Sequence, residues 1–340
     1  MEIMERSLQR GADVTVFMRA GQLKAALLSA LAAVLLFLPI AGVLLRGRES
    51  IAAITWGWED ILAPITSELK HGRKVNYGVY DFDARKPFSQ ARGVAIEHIF
   101  VSWLSSDSSA SISSSFQHAN ERNRWLMVTI EPFSVEGRNR HQLLDDVVAG
   151  EYDSIIASVC GSIGSLQSSM FVRWGHEMET GDLRYPWSGT DGDRYIAAYR
   201  HFAERCRAAA PKIFLVWSPK GESKLAKYYP GRPYVDFVGL SLYELPAHDL
   251  DRFGKIMKFQ DAFTPKYNRV TAFDRPVMIA EMGVSGPPKY QTSWMADFFR
   301  SVQLFPLLRT AVYFNGKDSP GAWPEKYGVP DWTIDPNIFE

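Results

Sequence analysis

The stretch FVRWGHEMET, Phe171–Thr180, sets Arg173, His176, Glu177 and Glu179 directly behind an apolar run, and PVMIAE, Pro276–Glu281, ends a second such run on Glu281. Two carboxyl groups facing each other across one opening can divide the roles of proton donor and nucleophile, and at ~5–5.5 Å such a pair cleaves a glycosidic bond with retention. Either Glu alone is equally well explained as a framework salt bridge. The chemistry therefore rests on whether the chain brings the two together.

The elements that would do so recur along the chain. Apolar, β-branched and aromatic runs occur at Val75–Tyr80, His98–Trp103, Trp125–Glu131, Met170–Glu177, Ile213–Ser218, Tyr234–Tyr243, Pro276–Glu281 and Thr310–Asn315. Near-continuous apolar runs suit a parallel sheet covered on both faces, because a half-exposed sheet would alternate. The clearest helical periods between them span Leu143–Val159, Asp193–Ala209 and Gln291–Val302. Eight strands alternating with helices match a (β/α)8 barrel, and no glycine-rich phosphate loop follows the first run to favour a doubly wound sheet. The serine-rich stretch Ser105–Ser115 reads as a mobile surface loop.

In such a barrel the site forms at the C-terminal ends of the strands. Tyr80, Asp81 and Asp83 follow the first run, Trp103 ends the second and Glu131 the third. His176 and Glu177 end the fourth, Trp217 the fifth, Tyr243 and Glu244 the sixth, Glu281 the seventh, and Tyr313 and Asn315 the eighth. The fourth and seventh strands lie on opposite sides of an eight-stranded ring, so Glu177 and Glu281 satisfy the topology of a facing pair.

RWGHEM followed by YPWSG, VWSP, a strand ending in Tyr243 and then IAEMG resembles glycoside hydrolase family 26, the mannanase-like retaining enzymes, over roughly Val75–Lys317. The resemblance implies an endo-acting hydrolase of β-linked polysaccharide, β-mannan or β-glucan, needing neither metal nor organic cofactor. It makes Glu177 the acid/base and Glu281 the nucleophile, puts His176 where related barrels have Asn, and makes Tyr243 the hydroxyl that orients the nucleophile. The acid/base needs a raised pKa, which an aromatic surround of Trp174 and Trp187 would supply; Glu281 must stay ionised, helped by Tyr243 and Arg173. By alternation Arg173 shares a face with Glu177, whereas His176 points away unless the strand bulges or has already ended; a histidine packed against backbone is the plainer reading of it. Trp103, Trp187, Trp217 and Trp323 are candidate sugar-stacking platforms, each equally readable as core. Two departures stand out. Ile130 replaces the Trp that often precedes Glu131, and Glu179, Thr180 and extra residues before Tyr185 replace the usual continuation.

The rest of the chain gives setting. Lys and Arg balance Asp and Glu at 38 each, so no net field favours nucleic acid, while ten Trp and fourteen Tyr favour planar-faced ligands such as sugars. Ala25–Leu45 carries no charge over the ~20 residues a membrane helix needs, and Arg6, Arg10, Arg19 and Lys24 precede it. That divides the chain into a cytoplasmic segment 1–24, a transmembrane anchor 25–45, a linker 46–73 and a barrel 74–340 facing the periplasm or exterior. A cleaved signal peptide fits less well, because its apolar stretch is shorter and ends on a small-residue cleavage site. Cys160 and Cys206 lie in helical segments flanking one strand; one bridge could form, but two buried thiols are the expectation. The alternative function is a non-hydrolytic or transglycosylating component of polysaccharide synthesis or export.

Overall fold

All eight apolar runs form strands, β1 Asn76–Asp81, β2 Val94–Ser102, β3 Trp125–Glu131, β4 Met170–Trp174, β5 Ile213–Trp217, β6 Phe237–Glu244, β7 Val277–Val284 and β8 Leu308–Asn315. Each pairs in parallel with its sequence neighbours, and β8 closes on β1 into a barrel. The computed structural model describes residues 75–81, 87–136, 139–181 and 184–340. The segment 1–24, the apolar run 25–45, the linker 46–73 and Asp83 lie outside those residues. Among the described residues no helix is long and apolar enough to cross a membrane.

Alternation along each strand sorts side chains between the barrel lumen and the helical layer. Phe171 turns inward, where its ring meets Trp125, Phe214 and Phe237 at 5.7, 5.7 and 5.2 Å and fills the lower lumen. Its neighbours Val172 and Trp174 turn outward. Trp174 stacks on Phe202 at 5.0 Å, in the helical layer. Arg173, two residues beyond Phe171, is therefore lumenal and fully buried.

Helices cover the barrel as α1 Ser108–Asn120, α2 Leu143–Val148, α3 Asp153–Ser165, α4 Gly192–Ala209, α5 Pro246–Phe253, α6 Phe259–Val270 and α7 Pro288–Ser301. The serine-rich stretch is thus largely the helix α1, not a loop. Ile112, Phe116 and Ala119 repeat at helical spacing, and the first and last are fully buried; serine density masks that stripe. The long helix read over Leu143–Val159 is instead α2 and α3, separated at Gly150, which adopts φ 83°. Between β5 and β6 the chain makes only 3₁₀ turns, at Leu225–Tyr228 and Arg232–Tyr234.

The expectation of two free thiols is overturned, because Cys160 on α3 and Cys206 on α4 form a disulfide with a Cα–Cα distance of 5.1 Å. The physical reason is the close approach of the two helices: a Cβ on Gly164 would meet the Ala209 carbonyl oxygen at 2.1 Å. Removing the bridge with Cys160→Ala and Cys206→Ala together releases a 46-residue separation in the unfolded chain. Stability then falls by about 2–4 kcal/mol, measured as a lower urea midpoint that reductant reproduces in the unaltered protein.

Candidate active site

A polar line crosses the lumen above the aromatic floor. His98 on β2 bonds through Nε2 to Thr129 Oγ1 on β3 at 2.7 Å, and Arg173 on β4 donates from Nη1 to the same oxygen at 3.4 Å. The other contact of Arg173 Nη1 is an ion pair with Glu281 on β7. Tyr243 on β6 donates its hydroxyl to the second oxygen of Glu281 at 2.6 Å. One carboxylate is thereby held by a guanidinium and a phenol from two different strands.

Glu281 reaches that position because β7 bulges. Leu240 and Ser241 of β6 are opposed by Ile279 and Glu281, and on the β8 side three steps from Ile279 to Met282 match two from Ala311 to Tyr313. Ala280 is the extra residue, and it re-aims the side chain that follows.

Glu177 is placed by a different device. β4 ends at Trp174, and Gly175 and Glu177 both adopt left-handed backbone, φ 55° and 54°. That conformation is uncommon for a glutamate and persists only where the surroundings impose it. Every carbonyl of the elbow is engaged by a side chain: Tyr195 OH donates to Gly175 O at 3.0 Å, Trp187 Nε1 to His176 O at 2.6 Å, and Thr180 Oγ1 to Glu177 O at 2.9 Å. The Glu177 amide donates to Ser218 O at the end of β5, 2.8 Å away. His176 consequently leaves the strand alternation and packs its ring on Tyr185 at 4.7 Å and Trp187 at 5.6 Å. Burial, with Arg173, Arg184 and His98 nearby, drives its pKa well down, so the ring is neutral.

Three of the four candidate tryptophans are not where stacking platforms would be. Trp217, Trp187 and Trp103 are 0%, 0% and 3% exposed. Trp103 stacks on Tyr152 at 4.8 Å and Trp217 meets Phe273 at 5.2 Å, both beneath the outer layer. Alternation gives the reason: Trp103, Trp174 and Trp217 occupy outward positions, and Trp187 is spent on the elbow. Trp323 is half-buried, its Nε1 donating to Asp318 at 2.9 Å. The rings that line the open lumen are Tyr80, Phe100, Phe314 and Tyr243, all half-buried, with Tyr80 5.0 Å from Phe100 and 4.7 Å from Phe314. Of the remaining strand-end residues, Glu244 accepts from Tyr290 and Asn315 donates to Asp81, while Tyr313 donates to Trp332 O; all three serve the framework.

Charge around the pair departs from expectation. Burial raises the Glu177 carboxyl, but Lys220, the Ser241 hydroxyl, Arg173 and Arg184 more than offset it and hold the pKa below its ordinary value. The aromatic surround expected to raise it is outweighed by these cations. Among the carboxyls of the lumen it is Glu131 that is raised, pushed up to about 7 by burial and by Glu281 against the pull of Arg173 and Arg184. Tyr80, beside both acids, is pushed up to about 12, first by burial. Arg184, Lys220, Asp318, Phe100, Phe314, Thr129 and His98 escape a search restricted to strand ends. Counting back in twos from Glu131 to Thr129, or forward from His98 to Phe100, would have found the lumenal ones. Glu179 and Thr180 both face inward to hold backbone, Thr180 on the elbow and Glu179 on the amides of Gly221 and Glu222 at 2.8 and 3.2 Å.

Comparisons with known proteins bear on the family and the fold. Residues 109–303 match the sequence profile of Glycosyl hydrolase family 26. The chain is 22% identical over 210 residues to a β-1,3-xylanase of a Vibrio species, covering 56% of this chain and 45% of that protein. It is 26% identical over 212 residues to the mannan endo-1,4-β-mannosidase A and B of Caldalkalibacillus mannanilyticus, covering 56% and 35%. It thus spans about half the length, or less, of these curated relatives. Among solved structures, GH26C of a Muricauda species superposes with a TM-score of 0.55 at 13% identity, covering 71% of this chain and 79% of that one, a likeness of fold.

The raised Glu131 carries a stability signature. With its pKa at about 7 in the fold against an ordinary 4.5, the unfolded chain releases this proton first, so stability falls as pH rises between those values. Glu131→Gln removes that loss: its Tm matches the unaltered protein near pH 4 and exceeds it by roughly 5–10 °C at pH 8, read by differential scanning calorimetry across the range.

Proposed function

The chain belongs to glycosyl hydrolase family 26, and from that premise we propose that it is a retaining endo-β-glycanase in which Glu281 is the nucleophile and Glu177 the acid/base. The observation that carries the reading is the fixing of Glu281 by the Arg173 guanidinium and the 2.6 Å hydroxyl of Tyr243, opposite a Glu177 held in left-handed backbone. A nucleophilic carboxylate must be ionised and aimed, and a cation and a donor on its two oxygens do both.

In the first half-reaction Glu281 attacks the anomeric carbon while Glu177 gives a proton to the departing glycosidic oxygen. In the second, Glu177 takes a proton from the water that releases the sugar from Glu281, and both carboxyls return to their starting states. Glycan covering the site adds desolvation to Glu177, the influence that already pushes this carboxyl up. The half-buried Tyr80, Phe100 and Phe314 offer apolar faces to the sugar. The two relatives, a β-1,3-xylanase and a mannan endo-1,4-β-mannosidase, differ in sugar and linkage. The backbone we propose is a β-mannan or a β-glucan, β-1,4-linked or mixed-linkage. Setting follows from the apolar run Ala25–Leu45 and the four basic residues before it: we assign the barrel to the periplasmic or outer side of a membrane it is anchored to.

Reducing-end release from mannan, mixed-linkage glucan and carboxymethylcellulose tests the activity; a folded protein inactive on every β-glycan overturns it. Glu281→Ala loses nearly all turnover, and azide restores part of it with the opposite anomeric configuration in the product. Glu177→Ala loses about 10²–10⁴-fold on unactivated glycan while sparing aryl glycosides with good leaving groups; equal losses on both would remove its role. Membrane fractionation checks the anchor, which predicts activity in the pellet that detergent, not salt, releases.

A further inference from the structure

The short turn after β5 is held more firmly than a surface turn requires. Besides the two amides bonded by Glu179, the Gly221 carbonyl accepts from Arg269 Nη1 at 2.8 Å and the Lys220 carbonyl from Lys266 Nζ at 2.6 Å. Gly221 itself takes φ 93°, where a Cβ would meet Leu240 and Lys266 at 3.0 Å. Side chains from two other elements, the loop after β4 and the helix α6, thus fix three consecutive residues. The turn starts at Ser218, whose carbonyl accepts the Glu177 amide at 2.8 Å, so Lys220 lies two residues from the backbone contact of the acid.

Lys220 differs from the other cations there. Arg173 is paired with Glu281, Arg184 lies 3.6 Å from Asp318, and Lys266 lies 3.6 Å from Glu222. Among the described residues Lys220 makes no ion pair, although of all the charges acting on Glu177 its influence is the largest. Holding a long cationic side chain beside a carboxyl that must donate a proton works against that donation, unless the substrate brings a charge of its own.

We propose that Lys220, positioned by the Glu179 clamp, receives an anionic group carried by the sugar beside the scissile bond, so that the substrate is an acidic β-glycan bearing a carboxylate or sulfate. The inference rests on the endo-glycanase reading of Glu177 and Glu281. A group paired with Lys220 screens the pull of that ammonium on Glu177 and adds a negative charge of its own, and both changes favour the protonated acid. Other groups facing Glu177 act whether or not the sugar is charged. Arg173 comes from β4, Ser241 and Tyr243 from β6, Arg184, Tyr185 and the Glu179 carboxyl from the loop after β4, Lys266 from α6 and Glu281 from β7. Only Lys220 is both unpaired and on the turn that Glu179 fixes. The departure at Glu179 from the family pattern thereby acquires a role: it acts through Lys220 rather than on the sugar.

The test compares mannohexaose and cellohexaose with their C6-carboxylate and sulfate-ester forms, as substrates and by calorimetric binding to the full-length protein. The expected result is a kcat/KM and an affinity higher by tenfold or more for an anionic form, with the alkaline limb of kcat moved to higher pH. Lys220→Met should abolish that preference and Lys220→Arg keep most of it. Whichever anion is preferred, carboxylate or sulfate, identifies the source of the charge. Cleavage of neutral and anionic forms with equal kcat/KM, or a preference that survives Lys220→Met, overturns the inference while leaving the hydrolase reading intact. If no form is cleaved, the hydrolase reading falls, and tighter binding of the anionic forms that is lost in Lys220→Met still decides for the anion site, whereas equal binding decides against it.

Discussion

A guanidinium with no exposed surface must be given a counter-charge, and in this barrel Arg173 is given Glu281. Leaving either group alone in the lumen would cost about 3–5 kcal/mol, so the pair constrains everything around it. It ties β4 to β7 across the ring and fixes one oxygen of the carboxylate. The other oxygen is left for Tyr243, and the Arg173 Nη1 contact to Thr129 extends the line to His98. His98, like His176, is kept neutral chiefly by burial and then by the cation beside it. The polar layer therefore carries its charge on a single ion pair, which lets it sit between an aromatic floor and the open end of the lumen.

Opposite that pair, the structure invests in backbone geometry rather than charge. Glu177 stands on an elbow of two left-handed residues whose three carbonyls are each taken by a side chain. Those donors come from α4, from the loop before it and from Thr180, so the outer layer holds the acid while the lumen holds its partner. The consequence for the tryptophans is direct: Trp174 and Trp187 support the elbow from behind and cannot also face a ligand. Flat surface in the lumen falls to smaller rings on β1, β2, β6 and β8.

The strands were legible because a parallel barrel needs continuous apolar runs, and each of the eight supplied one. Helices were less so where composition hid the period. The Ser108–Asn120 helix buries Ile112 and Ala119 beneath a surface of serines, and Gly150 divides what reads as one helix into two. Cys160 and Cys206 were correctly placed on helices beside one strand, but nothing in their spacing gives the distance between those helices. Close packing at Gly164 against Ala209 settles it.

The sequence by itself determined the barrel, the order of its strands and the residues at their ends, because hydrophobic periodicity is local and parallel topology follows from it. Glu177, Glu281, Arg173 and Tyr243 could be singled out on that basis. Tertiary structure alone decided how they are used. The extra residue at Ala280 re-aims Glu281, the left-handed elbow turns Glu177 and His176 out of the strand pattern, and the Glu179 clamp sets Lys220 beside the acid. Each depends on contacts between residues far apart in the chain. Because charge, burial and aim are properties of those contacts, Glu131 rather than Glu177 carries the raised pKa.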